Sequence, residues 1–137
     1  MEITYKNSLP SKQQFFRLYE TTGWNERHHF TEDNLFEAIN NSWYLVSVYG
    51  EDELIGFGRI ISDGVYQTFI GDLIVHPVFQ NRGIGSKVLN MLVEKCQESG
   101  MKWVQLTCAK GKVDFYKKYG FEERPADGPG MQKYLYQ

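Results

Sequence analysis

Six apolar residues, Ile84, Val88, Leu89, Leu92, Val93 and Cys96, recur at helical spacing, and Gly100 closes the run just past Ser99. So continuous a stripe has to be covered, and the segment before it supplies a partner, because Leu73-Ile74-Val75 reads as the end of a strand. Between strand and helix lies a polar turn carrying Gly83 and Gly85. Strand, glycine-bearing turn and amphipathic helix in that order predict a mixed α/β chain whose helix packs on a sheet.

The remaining elements follow from the same periodicities. Residues 2–6 alternate as a short strand, and Ser11, preceded by Pro10, opens a helix carrying Phe15, Phe16, Leu18 and Tyr19. Thr31 is the N-cap of a second helix through Leu35, Phe36 and Ile39, with Asn34 at the capping-box position and Asn40-Asn41 as its stop. Residues 43–48 and 54–61 are rich in β-branched and aromatic side chains, and Gly50-Glu51-Asp52-Glu53 joins them as a hairpin. After the Ser62-Asp63-Gly64 turn, residues 65–75 form the longest strand, ended by Pro77. Residues 103–108 read as a strand, 112–119 as a short helix stopped by Gly120, and Phe121 starts a last strand with Met131–Tyr136 as its partner. Neither repeats nor a linker interrupt the pattern, so residues 1–137 are expected to form one domain.

Composition narrows the function classes. With 42% apolar and 15% aromatic residues among 137, the chain can fill a core. Two cysteines cannot build a disulfide framework, and Met1-Glu2-Ile3-Thr4-Tyr5-Lys6 lacks a secretory apolar run, which points to a reducing cytoplasm. No apolar run nears the ~18 residues of a membrane span. A net charge of −2 argues against a nucleic-acid binder. Its distribution is uneven: residues 1–64 carry 5 basic and 10 acidic groups, residues 102–137 carry 7 and 4. That skew suits a cationic substrate held by the front half and an anionic cofactor by the back, and it equally suits solvated faces.

Chemistry concentrates in Val75-His76-Pro77-Val78-Phe79-Gln80-Asn81-Arg82-Gly83-Ile84-Gly85-Ser86. The first N–H groups of a helix lack internal acceptors and lie at the positive end of its dipole, so a pyrophosphate fits there. Gly83 and Gly85 keep Cβ atoms out of its way, while Arg82, Ser86 and Lys87 can add charge or hydrogen bonds. The P-loop pattern fails, and the dinucleotide pattern fails at Val88, where its third glycine would stand. On local grounds alone the two glycines fit a bare tight turn as well as an anion cradle.

Gln80-Asn81-Arg82-Gly83-Ile84-Gly85 resembles the acetyl-CoA signature [QR]-x-x-G-x-[GA] of the GCN5-related N-acetyltransferase (GNAT) superfamily, and it stands behind Asp72-Leu73-Ile74-Val75-His76-Pro77. Phe115-Tyr116-Lys117-Lys118-Tyr119-Gly120-Phe121 is similar to a second feature of that family, an aromatic-Tyr pair before Gly-Phe. The resemblance implies a mostly antiparallel sheet of six or seven strands, splayed between strands 4 and 5 and flanked by about four helices. It implies acetyl-CoA as cosubstrate and no metal. The backbone of Leu73 and Val75 would bind the pantetheine arm, and Gln80, Asn81, Arg82, Gly83, Ile84, Gly85 and Ser86 would hold the pyrophosphate. Tyr116 would be the catalytic acid, its phenol (reference pKa ~10) protonated at neutral pH and able to donate to a departing thiolate. Read on its own, Tyr116 is also a core aromatic on a short helix. Ala109 stands where many members carry a cofactor-binding asparagine.

The attacking amine must lose a proton, yet no base is evident. Strict alternation groups Phe69, Gly71, Leu73 and Val75 on one face and sends Asp72 the other way. Ordered water, with Asp63, Glu26 or His28 near the entrance, is then the expected route. The implied activity is direct transfer of an acetyl group to a primary amine of a small molecule; Phe15, Phe16, Tyr19, Trp24, Phe30 and Phe36 among acidic residues would suit an organic cation, though most of them equally read as helix core. A protein amine as acceptor and a silent CoA-binding regulator are the alternatives. Family members are frequently homodimers.

Overall fold

The computed structural model describes residues Met1–Tyr136, which fall into two compact units, Met1–Gln105 and the residues from Leu106 onward. The first unit is built on β1 (Ile3–Lys6), β2 (Tyr44–Gly50), β3 (Glu53–Ser62) and β4 (Thr68–Val75). They form an antiparallel sheet in the order β1-β2-β3-β4. Its helices are α1 (Lys12–Glu20), the single turn α2 (Asn25–His28), α3 (Glu32–Asn40) and α4 (Ile84–Glu98).

The helix starts are where side-chain oxygens can reach orphan amides. Ser11 Oγ accepts from Gln14 N at 3.1 Å. Thr31 Oγ1 accepts from Asn34 N at 3.0 Å, while Asn34 Oδ1 accepts from Thr31 N at 3.2 Å, closing the capping box with Asn in place of Glu. Each such cap contributes about 1 kcal/mol.

One face of the sheet packs on α1 and α3, where Phe15, Leu18, Leu35 and Ile39 meet Leu45, Leu54, Phe57 and Ile74. The Phe15 ring stands edge-on to Phe57 at 4.8 Å. The opposite face takes α4, which buries Ile84, Val88, Leu89, Leu92 and Cys96 as the helical stripe predicts. Two glycines in β3 set the approach. A Cβ at Gly58 would lie 2.7 Å from Val88 Cγ1, and one at Gly56 would lie 3.2 Å from Ile84 Cγ2. The helix ends as its glycine predicts: Gly100 takes φ +77° and Met101 N donates back to Cys96 O at 3.0 Å.

The expected strand count is corrected, since the described residues hold four strands, with five α-helices and a 3-10 turn. The strand expected over residues 65–75 is β4, which begins at Thr68, and β3 is longer. Asp63 Oδ1 accepts from Val65 N, Tyr66 N and Gln67 N, so the residues expected to start the strand are spent on a turn. The strand expected over 103–108 is one parallel bridge, Phe69 with Gln105. In the second unit α5 (Val113–Lys118) forms much as expected, but neither residues from Phe121 nor Met131–Tyr136 make a strand. Pro125 and Pro129 offer no amide donors, and Gly128 N closes a turn on Pro125 O at 2.9 Å.

Candidate active site

At the end of β4 the chain turns sharply. His76 N donates to Ile55 O at 2.8 Å, then Pro77–Phe79 make a 3-10 turn whose Val78 N donates to His76 Nδ1 at 3.2 Å. Phe79 is buried and anchors the turn. Asn81 at φ +65° and Gly83 at φ +81° reverse the backbone so that α4 can start. Gly83 is the N-cap of that 15-residue helix, and no side chain caps it. The opening amides of α4 therefore have no capping side chain at the positive end of a long dipole. A Cβ on Gly83 would meet nothing within 4 Å, so the space beside this N-cap is open. This chemistry fits a diphosphate.

The predicted cofactor residues cluster here with individual differences. Arg82 lies against the Phe79 ring, 5.4 Å from its centroid, at the corner itself. Gln80 Nε2 donates to Val75 O at 3.0 Å, tying the turn to the strand end. Lys87 sits 4.2 Å over the Tyr5 ring, a contact that one-dimensional reading does not foresee.

β4 is the last strand of the sheet, and its outer edge is bridged at its start, where Ile70 N donates to Gln105 O at 2.8 Å and Gln105 N to Thr68 O at 2.9 Å. Past Ile70 no strand pairs on that side among the described residues. Leu73 and Val75 lie on this stretch. A strand edge of this kind suits an extended chain bearing amides.

The strict alternation expected along β4 does not hold. Register with β3 shifts between Phe57 and Arg59, and Asp72 takes φ +51°. The bulge turns the Asp72 carboxylate onto Arg59, Nε to Oδ2 at 2.7 Å, while Arg59 Nη1 donates to Ala38 O at 3.0 Å. Arg59 follows Phe57 on the face of α1 and α3, and so does Asp72. Burial, and next the Asp72 charge, raise the Tyr19 phenol above its ordinary range, and Trp24 stands edge-on to Tyr19 at 5.8 Å. Sequence reading missed this carboxylate because a bulge breaks the period of two. Of the other acid-base candidates, Asp63 holds its turn, with its carboxyl lowered by the Val65 and Tyr66 amides, His28 stacks on Phe30 at 5.0 Å, and Glu26 is exposed. Among the described residues no group of three or more His, Cys, Asp or Glu is placed to hold a metal. No described helix is long and apolar enough to cross a membrane.

In the second unit, Gly120 at φ +89° ends α5, and Phe121 N folds back to Tyr116 O at 3.2 Å. The Gly-Phe of the motif is thus a helix C-cap, and it lays Phe121 beside Tyr116 with ring centroids 5.8 Å apart. Phe115 lies 5.1 Å from Tyr116. Burial raises the Tyr116 phenol above its usual value, and Cys108 adds to the effect, so its Oη keeps its proton throughout the neutral range.

The Acetyltransferase (GNAT) family pattern matches residues 11–121. The chain belongs to the GNAT family of acetyltransferases. An uncharacterized N-acetyltransferase ycf52 of Pyropia yezoensis is 29% identical over 95% of this GNAT chain and 79% of its own length. Histone acetyltransferase TAP1 of Glycine max is 27% identical, over 83% and 53% respectively. Among solved structures, a probable acetyltransferase of unknown function from Staphylococcus aureus has a TM-score of 0.87 at 24% identity, covering 97% of this chain and all of its own. The PaiA N-acetyltransferase of Thermoplasma acidophilum, solved in complex with coenzyme A, has a TM-score of 0.72 at 17% identity, covering 93% and 94%. At these identities the structural likeness establishes the fold.

Proposed function

We propose that this GNAT acetyltransferase moves the acetyl group of acetyl-CoA directly to the primary amine of a small molecule. The observation that carries the reading is the start of α4, which no side chain caps, with open space beside Gly83 and, next to it, a β4 edge that among the described residues lacks a strand partner past Ile70. Acetyl-CoA supplies an activated acyl thioester. The amides from Gly83 to Ser86, with Gln80, Asn81 and Arg82, hold its diphosphate, and the backbone of Leu73 and Val75 holds its pantetheine amides. Tyr116 Oη holds a proton for the leaving sulfur. Binding both substrates at once converts the encounter into a positioned, effectively unimolecular step.

The acidic front half favours a cationic acceptor. A protein amine is the second reading, favoured by the likeness to a relative named as a histone acetyltransferase. Thiol release from acetyl-CoA separates them: small primary amines should support turnover and lysine or N-terminal peptides should not. Turnover with peptides alone would replace the first reading with the second, and none with any amine would reject both.

A further inference from the structure

β3 and β4 run in register from Ser62 opposite Thr68 to Arg59 opposite Gly71, and again at Phe57 with Ile74 and Gly56 with Val75. Two residues of β4, Asp72 and Leu73, therefore face the single position Gly58. The surplus residue is absorbed at Asp72, whose φ of +51° lies in the left-handed region that a residue with a side chain adopts only under strain. A strand held only by its ladder would relax by slipping one register. What opposes the slip is visible in the side chains. Asp72 Oδ2 accepts from Arg59 Nε at 2.7 Å, Arg59 Nη1 donates to Ala38 O at 3.0 Å, and the two side chains are 14% (Arg59) and 23% (Asp72) exposed. Ala38 O belongs to the last turn of α3, the negative end of that helix, which favours a guanidinium. A rigid fork with two fixed acceptors resists movement in a way that one flexible ammonium does not.

We propose that Arg59 is a positioning residue for coenzyme binding: through Asp72 it holds the bulge that takes Leu73 out of the β3 register and sets the backbone of the Leu73–Val75 edge. This rests on the reading above that the edge receives the pantetheine arm. In this role Arg59 acts through the conformation of its neighbour strand.

The test is calorimetric titration of the full chain with coenzyme A, with thermal melting to check folding. Arg59→Met should weaken binding by roughly tenfold, the equivalent of the backbone strain it leaves unsupported. Adding Asp72→Gly, which adopts positive φ without strain, should bring affinity back to within about threefold although the ion pair is gone. A merely structural ion pair would lower the melting temperature of Arg59→Met while leaving the affinity of the folded chain unchanged, and that result overturns the proposal. So does failure of the glycine to restore binding. If Arg59→Met does not fold, Arg59→Lys carries the same comparison, with weaker binding restored by Asp72→Gly as the supporting result and unchanged binding as the contrary one. A wild-type chain that binds no coenzyme A overturns both the proposal and the reading beneath it, whereas normal wild-type binding with no effect at Arg59 overturns the proposal alone.

Discussion

At Tyr116 the surroundings set the protonation state of the hydroxyl. Burial between Phe115 and Phe121, and the Cys108 sulfur, disfavour the phenolate, so the folded pKa lies above the usual tyrosine value. A group raised in this direction is a proton donor at neutral pH and loses that role only as pH climbs past its folded pKa. Tyr116→Phe should lower turnover by ~10²-fold with coenzyme A affinity nearly intact, as for a lost transition-state donor. The wild-type rate should not show a basic limb from this group below pH ~10. Steady-state kinetics of both chains decide it, and equal turnover removes Tyr116 from the reaction. Gly83 is the second decisive position. Its φ of +81° suits glycine, and the space a side chain would enter is the space assigned to the diphosphate. Gly83→Val should weaken coenzyme A binding at least tenfold, roughly the cost of a β-branched residue at positive φ together with lost anion contacts. Calorimetry reads the loss, and retained affinity contradicts the cradle.

Between residues and the whole chain, elements depend on a few contacts each. Asp63 gathers three amides at the β3–β4 turn, and those bonds lower its carboxyl. Because the folded pKa is depressed, this support is complete above the unfolded carboxyl value near ~3.9 and is lost as pH falls through the folded value. Amide protection at Val65 and Tyr66 should accordingly hold at neutral pH and drop only in acid, and Asp63→Ala should show the unprotected state at pH 7. Hydrogen exchange by NMR checks both. Deeper in the unit, Gly58 is the contact plane between β3 and α4. Gly58→Ala would put a methyl 2.7 Å from Val88 Cγ1 and 3.1 Å from Leu92 Cδ1, side chains that are themselves fully buried. Overpacking of this kind costs about 1–3 kcal/mol, visible as a lower denaturation midpoint with an unchanged slope. These elements were only partly legible beforehand. The caps at Ser11 and Thr31 and the stop at Gly100 are local chemistry and read directly, whereas the start of β4 does not, because Asp63 spends the amides of Val65, Tyr66 and Gln67 on a turn.

For the molecule as a whole, ligand binding and folding are linked. Coenzyme A at 100 times its dissociation constant should add about 2.7 kcal/mol to stability, read as a raised melting temperature, and a flat response at millimolar ligand would reject the cofactor assignment. The α4 stripe, the helix caps, the glycine-opened corner after Gln80 and the stop of α5 at Gly120 are all legible along the chain, since each rests on residues within a few positions of one another. The partner of Asp72, the contact of Gly58 with Val88 and the reduction of an expected strand to a bridge at Gln105 emerge only in the folded chain. Those outcomes depend on which strand face meets which helix and on one bulge that shifts register, and such long-range packing leaves no periodic trace along the chain.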